Sequence, residues 1–330
     1  MRPRGHGIDA RAAGATRSLS VPLSRRGFLA AVAAVVTGAT AGLAPTLLMA
    51  ATRTHKLAVG AAEIMIVSDG VFSLPLSLVL PDTPKERLEV LFKQHGTGLE
   101  IVAETNVTIV RDGAMLALID TGAGPDFMPT LGRLPDTLDA LGIKAEDVTH
   151  VVFTHAHADH LWGVVDPFGD GSRWPNARHV MTATERDFWL APNVEDRVPA
   201  FQKGMATGIQ RRLKALGDII VGVTSNTQVA PGLALLPAPG HTPGHAAVVV
   251  RSGTEEVIVG GDALTHAVVS FAAPDWRWGS DIDWQTAAAT RSRMLDRLTT
   301  SKARLVGYHL PWPGVGRVER DGTAFKFVGA

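Results

Sequence analysis

Three imidazoles and a carboxylate are concentrated in the stretch Thr154-His155-Ala156-His157-Ala158-Asp159-His160, directly after the apolar run 148–153. In an extended backbone or tight turn, alternate side chains point to the same side, so the first two histidines face together. The Asp-His pair follows where we expect the chain to enter a helix near Leu161. This geometry predicts two neighbouring metal sites, one for the first two histidines and one for the Asp-His pair.

The alternative interpretation of this stretch is a run of surface histidines, which the spacing disfavours. The sequence contains no cysteine, which excludes disulfides, thiolate zinc sites and a cysteine nucleophile. Any metal site must therefore be built from His and Asp side chains. Neutral imidazole and carboxylate suit two divalent ions, with zinc as the default and manganese, cobalt and iron accepting the same ligands.

The composition supports a globular core, since 45% of the 330 residues are hydrophobic and 19% are charged. Lys+Arg and Asp+Glu both number 32, so the formal net charge is zero. This balance disfavours a nucleic-acid partner, including the substrate of a nuclease. We expect residues 51–330 to form one domain that acts on a small-molecule substrate. A homodimer is left open.

Residues 1–50 have the pattern of a twin-arginine signal peptide. Ser24-Arg25-Arg26-Gly27-Phe28-Leu29 is followed by an Ala/Val/Gly-rich apolar run, with small residues for cleavage at Ala50 and Ala51. A retained membrane anchor is the alternative, but Gly38, Gly42 and Pro45 weaken it. We therefore expect a periplasmic or secreted protein without stable membrane insertion after cleavage.

Local patterns predict strands and hairpins on both sides of the histidine stretch. Asp-Gly pairs between apolar runs predict tight turns at 68–70 and 111–113. The second half repeats the order of strand, His-bearing turn, hairpin and Asp-bearing turn. Two strand-rich halves, each followed by helices, predict two packed sheets with helices outside. Helices are expected at 85–94, in a segment over the site, and at 131–141, 184–190 with Thr184 as its cap, 201–216 and 284–298.

Polar side chains recur where the predicted strands end. Asp120 can be a ligand or a general base, but a carboxylate that orients a histidine is preferred. In a layered fold, such strand ends open into one shared cleft. The residues expected to converge there are His155, His157, Asp159, His160, His241, Asp262 and His309.

These motifs, in this order, resemble the metallo-β-lactamase superfold of binuclear metal hydrolases, and within it the methyl parathion hydrolase group and related lactonases. The resemblance covers roughly residues 58–328 and implies an α/β fold, a four-layer αββα sandwich. The supporting stretches are Asp120-Thr-Gly-Ala-Gly-Pro, Pro129-Thr-Leu-Gly, Asp187-Phe-Trp-Leu, Gly240-His-Thr-Pro-Gly-His and His309-Leu-Pro-Trp-Pro-Gly.

The resemblance also implies roles for individual residues. In the His241-Thr-Pro-Gly-His245 stretch it makes the first histidine a ligand and the second a supporting residue, a choice that spacing alone does not make. One metal would be held by His155, His157 and His241, the other by Asp159, His160 and His309, with Asp262 between them. The aromatic residues of the substrate pocket map onto Phe127, Trp189 and Phe201, for which core packing is the alternative.

Several residues near these motifs receive no ligand role. Tyr308 can assist a leaving group, although packing is the favoured role, and Trp276 and Trp278 can alter the shape of the pocket. Six histidines without a motif partner are left out as surface or core residues, with His266 the least safe exclusion because it follows Asp262 by four residues: His6, His55, His95, His150, His179 and His266.

The implied reaction is hydrolysis by an exported dinuclear enzyme. Two divalent ions about 3.5–4 Å apart share a bridging hydroxide that attacks a carbonyl or phosphoryl centre. Asp159 and Asp262 would hold this nucleophile in place. We therefore expect hydrolysis of ester-type bonds in lactones, aryl esters or organophosphate triesters.

Other functions of the same fold are the main alternatives. A β-lactamase shares the fold and an exported location. A metal-dependent oxidoreductase is disfavoured because the diiron reductases place a Glu inside the first motif, where this chain has Ala156-His157-Ala158. A non-catalytic metal-binding protein is disfavoured by the intact ligand set.

Overall fold

The strands pair into two mixed β-sheets in the computed structural model, which describes residues 53–165 and 171–330. These residues belong to one unit, Ala50–Ala330. In spatial order, the first sheet consists of β1 Thr54–Val59, β2 Ala62–Leu74, β3 Ile101–Asp112, β4 Met115–Ile119, β5 His150–Val152, β6 Arg178–Thr182 and β7 Ile220–Val223. The second sheet consists, in spatial order from one edge, of β8 Gln228–Ala230, β9 Leu233–Pro237, β10 Ala246–Ser252, β11 Glu255–Val259, β12 Arg304–Val306, β13 Val315–Asp321 and β14 Ala324–Gly329.

Both sheets combine antiparallel hairpins with parallel neighbours. Strands β1 to β4 pair antiparallel, whereas β4 to β7 pair parallel. In the second sheet β11 and β12 are parallel. Parallel neighbours end at the same edge of their sheet, so the segments after β4 and β5 lie side by side, as do those after β11 and β12.

Helices cover the outer faces of the sheets. Thr182 caps one of them by accepting the N–H of Glu185 on its side-chain oxygen, so the predicted cap at Thr184 is wrong by two residues. The helix predicted near Leu161 begins earlier, which places the Asp-His pair in its first turn. The helices are Leu76–Val79, Lys85–Gln94, Leu134–Ala140, Ala158–Leu161, Ala183–Leu190, Lys203–Leu216, Val269–Ala272 and Trp284–Ser301.

Alternation along the strands divides the core into layers. In β2, Ile64 and Ile66 pack between the two sheets, whereas Met65 and Val67 pack against helices on the outer face. The outer face of the second sheet packs on the helix Trp284–Ser301. The order is therefore helix, sheet, sheet, helix, and the predicted four-layer αββα sandwich is confirmed.

The predicted turn at 68–70 is wrong. Strand β2 runs through it as 13 residues with a bulge before Val71. The Asp69 side chain is buried there, and its carboxylate accepts three backbone N–H groups from the segment 123–134. These tertiary hydrogen bonds override the local Asp-Gly turn signal. The second predicted turn, at 111–113, does connect β3 and β4.

Several predictions concern features that the structure does not test. Residues 1–50 lie outside the described residues, so the signal peptide and the export of the protein stay predictions. The oligomeric state, for which the sequence leaves a homodimer open, is not tested either. Within 53–165 and 171–330, none of the helices combines the length and the apolar character that crossing a bilayer requires.

A close backbone contact at Gly163 fixes the segment after the histidine stretch. The N–H of Gly163 donates to the carbonyl of Gly122 at 3.0 Å. A Cβ at Gly163 would lie 2.0 Å from the carbonyl oxygen of Thr121. A side chain at this position would therefore separate the histidine segment from the loop after β4.

We predict that Gly163→Ala lowers the free energy of unfolding by about 1–3 kcal/mol through overpacking. Gly204→Ala is the matched control, since nothing lies within 4 Å of a Cβ added there. We expect the control to be neutral or to stabilise by up to about 1 kcal/mol. Urea unfolding of both variants makes the comparison, and equal stability of the two would contradict the contact.

Candidate metal centre

The candidate ligands converge from segments that follow strand ends. The histidine stretch leaves β5, and the remaining ligands follow β9, β11 and β12. All are nearly inaccessible to solvent, with at most 7% of the residue exposed, so their charges are poorly hydrated. They are His155, His157, Asp159, His160, His241, Asp262 and His309.

These side chains form two groups that could each hold a metal ion. Within a group, one ligand atom of every member lies within 4.8 Å of the others. The structure therefore brings together the side chains that the resemblance assigned to two neighbouring metals. The first group is His155, His157, His241 and Asp262, and the second is Asp159, His160 and His309.

Asp262 lies between the two groups. Its Oδ2 is 3.2 Å from Nε2 of His241, in the first group. Its Oδ1 is 3.2 Å from Nε2 of His160 and from Nε2 of His309, in the second. Because its two oxygens face different groups, Asp262 could offer one oxygen to each group.

Unpartnered polar atoms at the centre fit the binding of cations. Nε2 of His155, Nε2 of His160 and Oδ1 of Asp262 are buried and make no hydrogen bond. Nδ1 of His157 and Nε2 of His241 face each other at 2.9 Å. Buried polar atoms without a hydrogen bond are costly, and a set of imidazoles and carboxylates suits zinc. The residues present therefore fit the metals that the resemblance implies.

Burial and neighbouring charge determine the protonation of the histidines. Burial, followed by repulsion from the other imidazoles, holds the pKa of His155 and of His157 well below the usual value. Both rings are thus neutral at pH 7, which is the form that binds metal.

Neighbouring carboxylates raise the pKa values of His241 and His309. Burial would lower the pKa of His241 and of His309, but the carboxylates around them, chiefly Asp262, raise these pKa values to about 9 and about 10. Burial would raise the pKa of Asp262, yet the positive charge on His309 and His160 holds it well below the usual value. The carboxylates therefore require positive charge beside them, which protons or metal ions can supply.

Asp120 orients one of the ligands, as preferred from the sequence. Its carboxylate accepts the N–H and the O–H of Thr154, both at 2.8 Å. It also accepts Nδ1–H of His160 at 2.8 Å. Nε2 of His160 is thereby left free to face the site. The carbonyl of Glu104 accepts Nδ1–H of His309 at 2.7 Å in the same way.

Asp281 orients a second ligand and was missed in the sequence. His241 donates Nδ1–H to Asp281 Oδ1 at 2.9 Å, and Arg291 donates to Asp281 Oδ2 at 3.0 Å. Asp281 lies before a helix with Asp283 two residues later, so neither spacing nor motif distinguished it from a surface aspartate.

His245 supports Asp262 rather than joining a ligand group. Its Nε2 accepts the backbone N–H of Asp262 at 2.9 Å, and its Nδ1–H donates to the carbonyl of Ala238 at 3.1 Å. Burial, with repulsion from His241, lowers the pKa of His245 to about 3, so the ring stays neutral. The two histidines of this stretch thus differ in position, since His241 belongs to a candidate ligand group and His245 does not.

A cavity of about 250 Å³ opens onto the candidate centre. Asp159 and Asp262 are among the ligands that line it. Its other walls are mostly apolar and include Phe72, Met205 and Trp278. The site therefore combines a polar centre with a largely apolar chamber.

The three predicted pocket aromatics have different positions. Phe127 and Phe201 line the cavity, and Phe201 is 49% exposed. Trp189 does not line it, so that prediction is corrected. Trp189 is fully buried, packs edge-on against the ring of His157 at 5.6 Å and donates Nε1–H to Glu185. Trp189 therefore packs against the candidate ligand His157 within the core and does not line the cavity.

Tyr308 and His266 have packing and capping positions. The Tyr308 hydroxyl donates to the carbonyl of Asp159 at 2.6 Å, and its ring stacks on His160 at 3.9 Å. Nδ1 of His266 accepts the backbone N–H groups of Val268 and Val269. Neither residue belongs to a ligand group.

We predict that Asp281→Asn weakens zinc binding by about 10–100-fold, because His241 loses the carboxylate that fixes its ring. Arg291 keeps carbonyl partners at Pro274 and Trp276, so the variant is expected to fold. The measurement is zinc affinity by competition with a chelator.

Asp283→Asn is the control, because exposed Asp283 caps the next helix and touches no ligand. Its zinc affinity is expected to stay within about twofold of that of the unmodified protein. Equal affinities in the Asp281 and Asp283 variants would exclude the orienting role of Asp281.

Comparison with known proteins relates these motifs to a family. A model described as the metallo-beta-lactamase superfamily matches residues 102–309, more than half of the chain. The probable metallo-hydrolase Mb2322c of Mycobacterium bovis is 29% identical over 227 residues, covering 62% of this chain and 69% of that protein.

Two solved structures are similar over most of the chain. AidC, a dizinc quorum-quenching lactonase in complex with a product, N-hexanoyl-L-homoserine, has a TM-score of 0.79 and 28% identity, covering 84% of this chain and 98% of AidC. The hydrolase AbOPH of the beta-lactamase superfamily has a TM-score of 0.77 and 25% identity, covering 84% and 97%. The chain therefore belongs to the metallo-beta-lactamase superfamily and is a metal-dependent hydrolase.

Proposed function

We propose that the protein is a dinuclear metal hydrolase that cleaves ester-type bonds in lactones, aryl esters or organophosphate triesters. The observation that carries this proposal is the position of Asp262, whose two oxygens face two ligand groups beside one cavity. The similarity to a dizinc lactonase supports zinc as the metal and a lactone as the first substrate to test.

In this proposal, two bound divalent ions would activate water as a nucleophile and polarise the bond under attack. His155, His157 and His241 would hold one ion, and Asp159, His160 and His309 the other, with Asp262 shared. The side chains of Asp159 and Asp262 also line the cavity. Their carboxylate oxygens are acceptors that can orient an attacking water beside the substrate.

The walls of the cavity favour a neutral substrate with an apolar group. Phe72, Phe127 and Met128 contribute an apolar surface on which an acyl chain or aromatic ring can pack. Among the described residues that line the cavity there is no lysine or arginine. The carboxylate of a β-lactam antibiotic would find no lysine or arginine partner among these lining residues. This disfavours the β-lactamase alternative.

The experiment is a substrate panel with purified, zinc-loaded protein. We expect hydrolysis of at least one of an N-acyl lactone, a p-nitrophenyl ester and a paraoxon-type triester, with nitrocefin at the background rate. Initial rates at equal substrate concentration make the comparison. Rapid nitrocefin turnover with no ester hydrolysis would instead establish the β-lactamase alternative.

Asp262→Asn tests the site within the same panel. Since the amide supplies one neutral oxygen in place of two charged ones, we expect kcat to fall by roughly two orders of magnitude or more. Circular dichroism checks that the fold is kept. Near-normal rates in this variant would refute the bridging position of Asp262 in the reaction.

A further inference from the structure

The side chain of Glu185 accepts four hydrogen bonds near the first ligand group. It lies in the first turn of the helix Ala183–Leu190 and is fully buried. Its Oε1 accepts the backbone N–H of Ala156 at 3.0 Å and Nε1–H of Trp189 at 2.7 Å. Its Oε2 accepts the hydroxyl of Thr242 at 2.6 Å and the backbone N–H of Gly244 at 3.0 Å.

These partners belong to two segments that are distant in sequence. Ala156 separates His155 from His157, and Thr242 directly follows His241. One carboxylate thus joins the turn after β5 in the first sheet to the turn before β10 in the second. Each of its oxygens contacts a backbone or side-chain donor adjacent to a candidate ligand, and neither oxygen hydrogen-bonds a ligand ring.

The surrounding contacts keep the helix against both turns. The hydroxyl of Thr182 donates to the carbonyl of Gly244 at 2.6 Å while accepting the N–H of Glu185. A Cβ at Gly244 would lie 2.1 Å from the backbone nitrogen of Glu185, so only glycine permits this approach. The ring of Trp189 packs edge-on against His157. The first turn of the helix Ala183–Leu190 therefore contacts both turns that carry the first ligand group.

We propose that Glu185 is a positioning residue that sets the distance between the two turns carrying His155, His157 and His241. This inference rests on the proposed function in that it requires metal binding at both groups. Asp120 and Asp281 each fix the orientation of one ring, whereas Glu185 holds the two turns through Ala156, Thr242 and Gly244, which lie beside or near the three ligands in sequence. Its loss should therefore weaken the first group selectively.

Glu185→Gln is the substitution that tests this role. The side chain keeps its size, but one oxygen becomes an NH2 group. In either orientation of the amide, that NH2 faces at least one N–H donor, from Ala156 and Trp189 or from Gly244. The variant therefore replaces attraction by repulsion at one of the two turns.

Each ligand group can be measured alone in a single-site background. His309→Ala leaves the first group intact, and His241→Ala leaves the second intact. We expect Glu185→Gln to weaken zinc binding about 10–100-fold in the His309→Ala background, as loss of a group that supports metal ligands does. In the His241→Ala background we expect a change within about twofold, because no hydrogen-bond partner of Glu185 is adjacent in sequence to Asp159, His160 or His309. Chelator competition measures both affinities.

Two further variants separate positioning from general stability. Leu298→Ala removes a fully buried side chain near the C-terminal end of the helix Trp284–Ser301, with which Glu185 makes no hydrogen bond. It should lower the melting temperature without changing either zinc affinity. Thr242→Val removes a single donor to Glu185 and keeps the carboxylate. It should weaken the first group less than Glu185→Gln does and leave the second unchanged, and it provides the test if Glu185→Gln does not fold.

The outcomes distinguish this inference from the proposed function. Equal losses of zinc affinity in both backgrounds, or none in either, would overturn the positioning role of Glu185. If Glu185→Gln does not fold, an unchanged first-group affinity in Thr242→Val would also overturn it. Failure of the unmodified protein to bind two zinc ions would instead refute the proposed function.

Discussion

The charge of Asp159 and Asp262, buried among imidazoles, constrains the rest of the centre. Burial disfavours the ionised form of both carboxylates, but the neighbouring histidines lower their pKa values and keep them charged. Buried charges of this kind are stable only when compensated and hydrogen-bonded. In the proposed function, a pair of divalent ions would satisfy this requirement and would also use the imidazole nitrogens that face the same space.

The fold supplies the rigidity that such a charge arrangement requires. The ligands follow short strands whose parallel neighbours end together, and a four-layer packing holds both sheets in place. Buried carboxylates then fix the orientation of the ligand rings and the spacing of the turns, which the strands alone do not determine. Asp120 and Asp281 orient rings, and Glu185 joins the turns of the two sheets. The apolar chamber next to the centre can exclude water from whatever binds there.

Much of this arrangement could be predicted from local sequence patterns. The spacing within 154–160 indicates two groups of ligands, and the strand-end positions of Asp262 and His309 indicate convergence. Asp281 and Glu185 could not be identified, because neither belongs to a ligand motif and both act through contacts with residues distant in sequence. The prediction of a turn at Asp69-Gly70 was wrong for the same reason. The buried carboxylate of Asp69 accepts hydrogen bonds from a loop distant in sequence, and the strand continues through this position. Trp189 does lie near the site, but it packs against His157 in the core instead of lining the cavity.

In the proposed centre, two cations lie between these side chains and share Asp262. Anomalous diffraction at the zinc absorption edge, from crystals of the zinc-loaded protein, can locate them. We expect two peaks per chain, one within reach of His155, His157 and His241 and one within reach of Asp159, His160 and His309, with Asp262 contacting both. A single peak, or peaks that Asp262 does not reach, would contradict it.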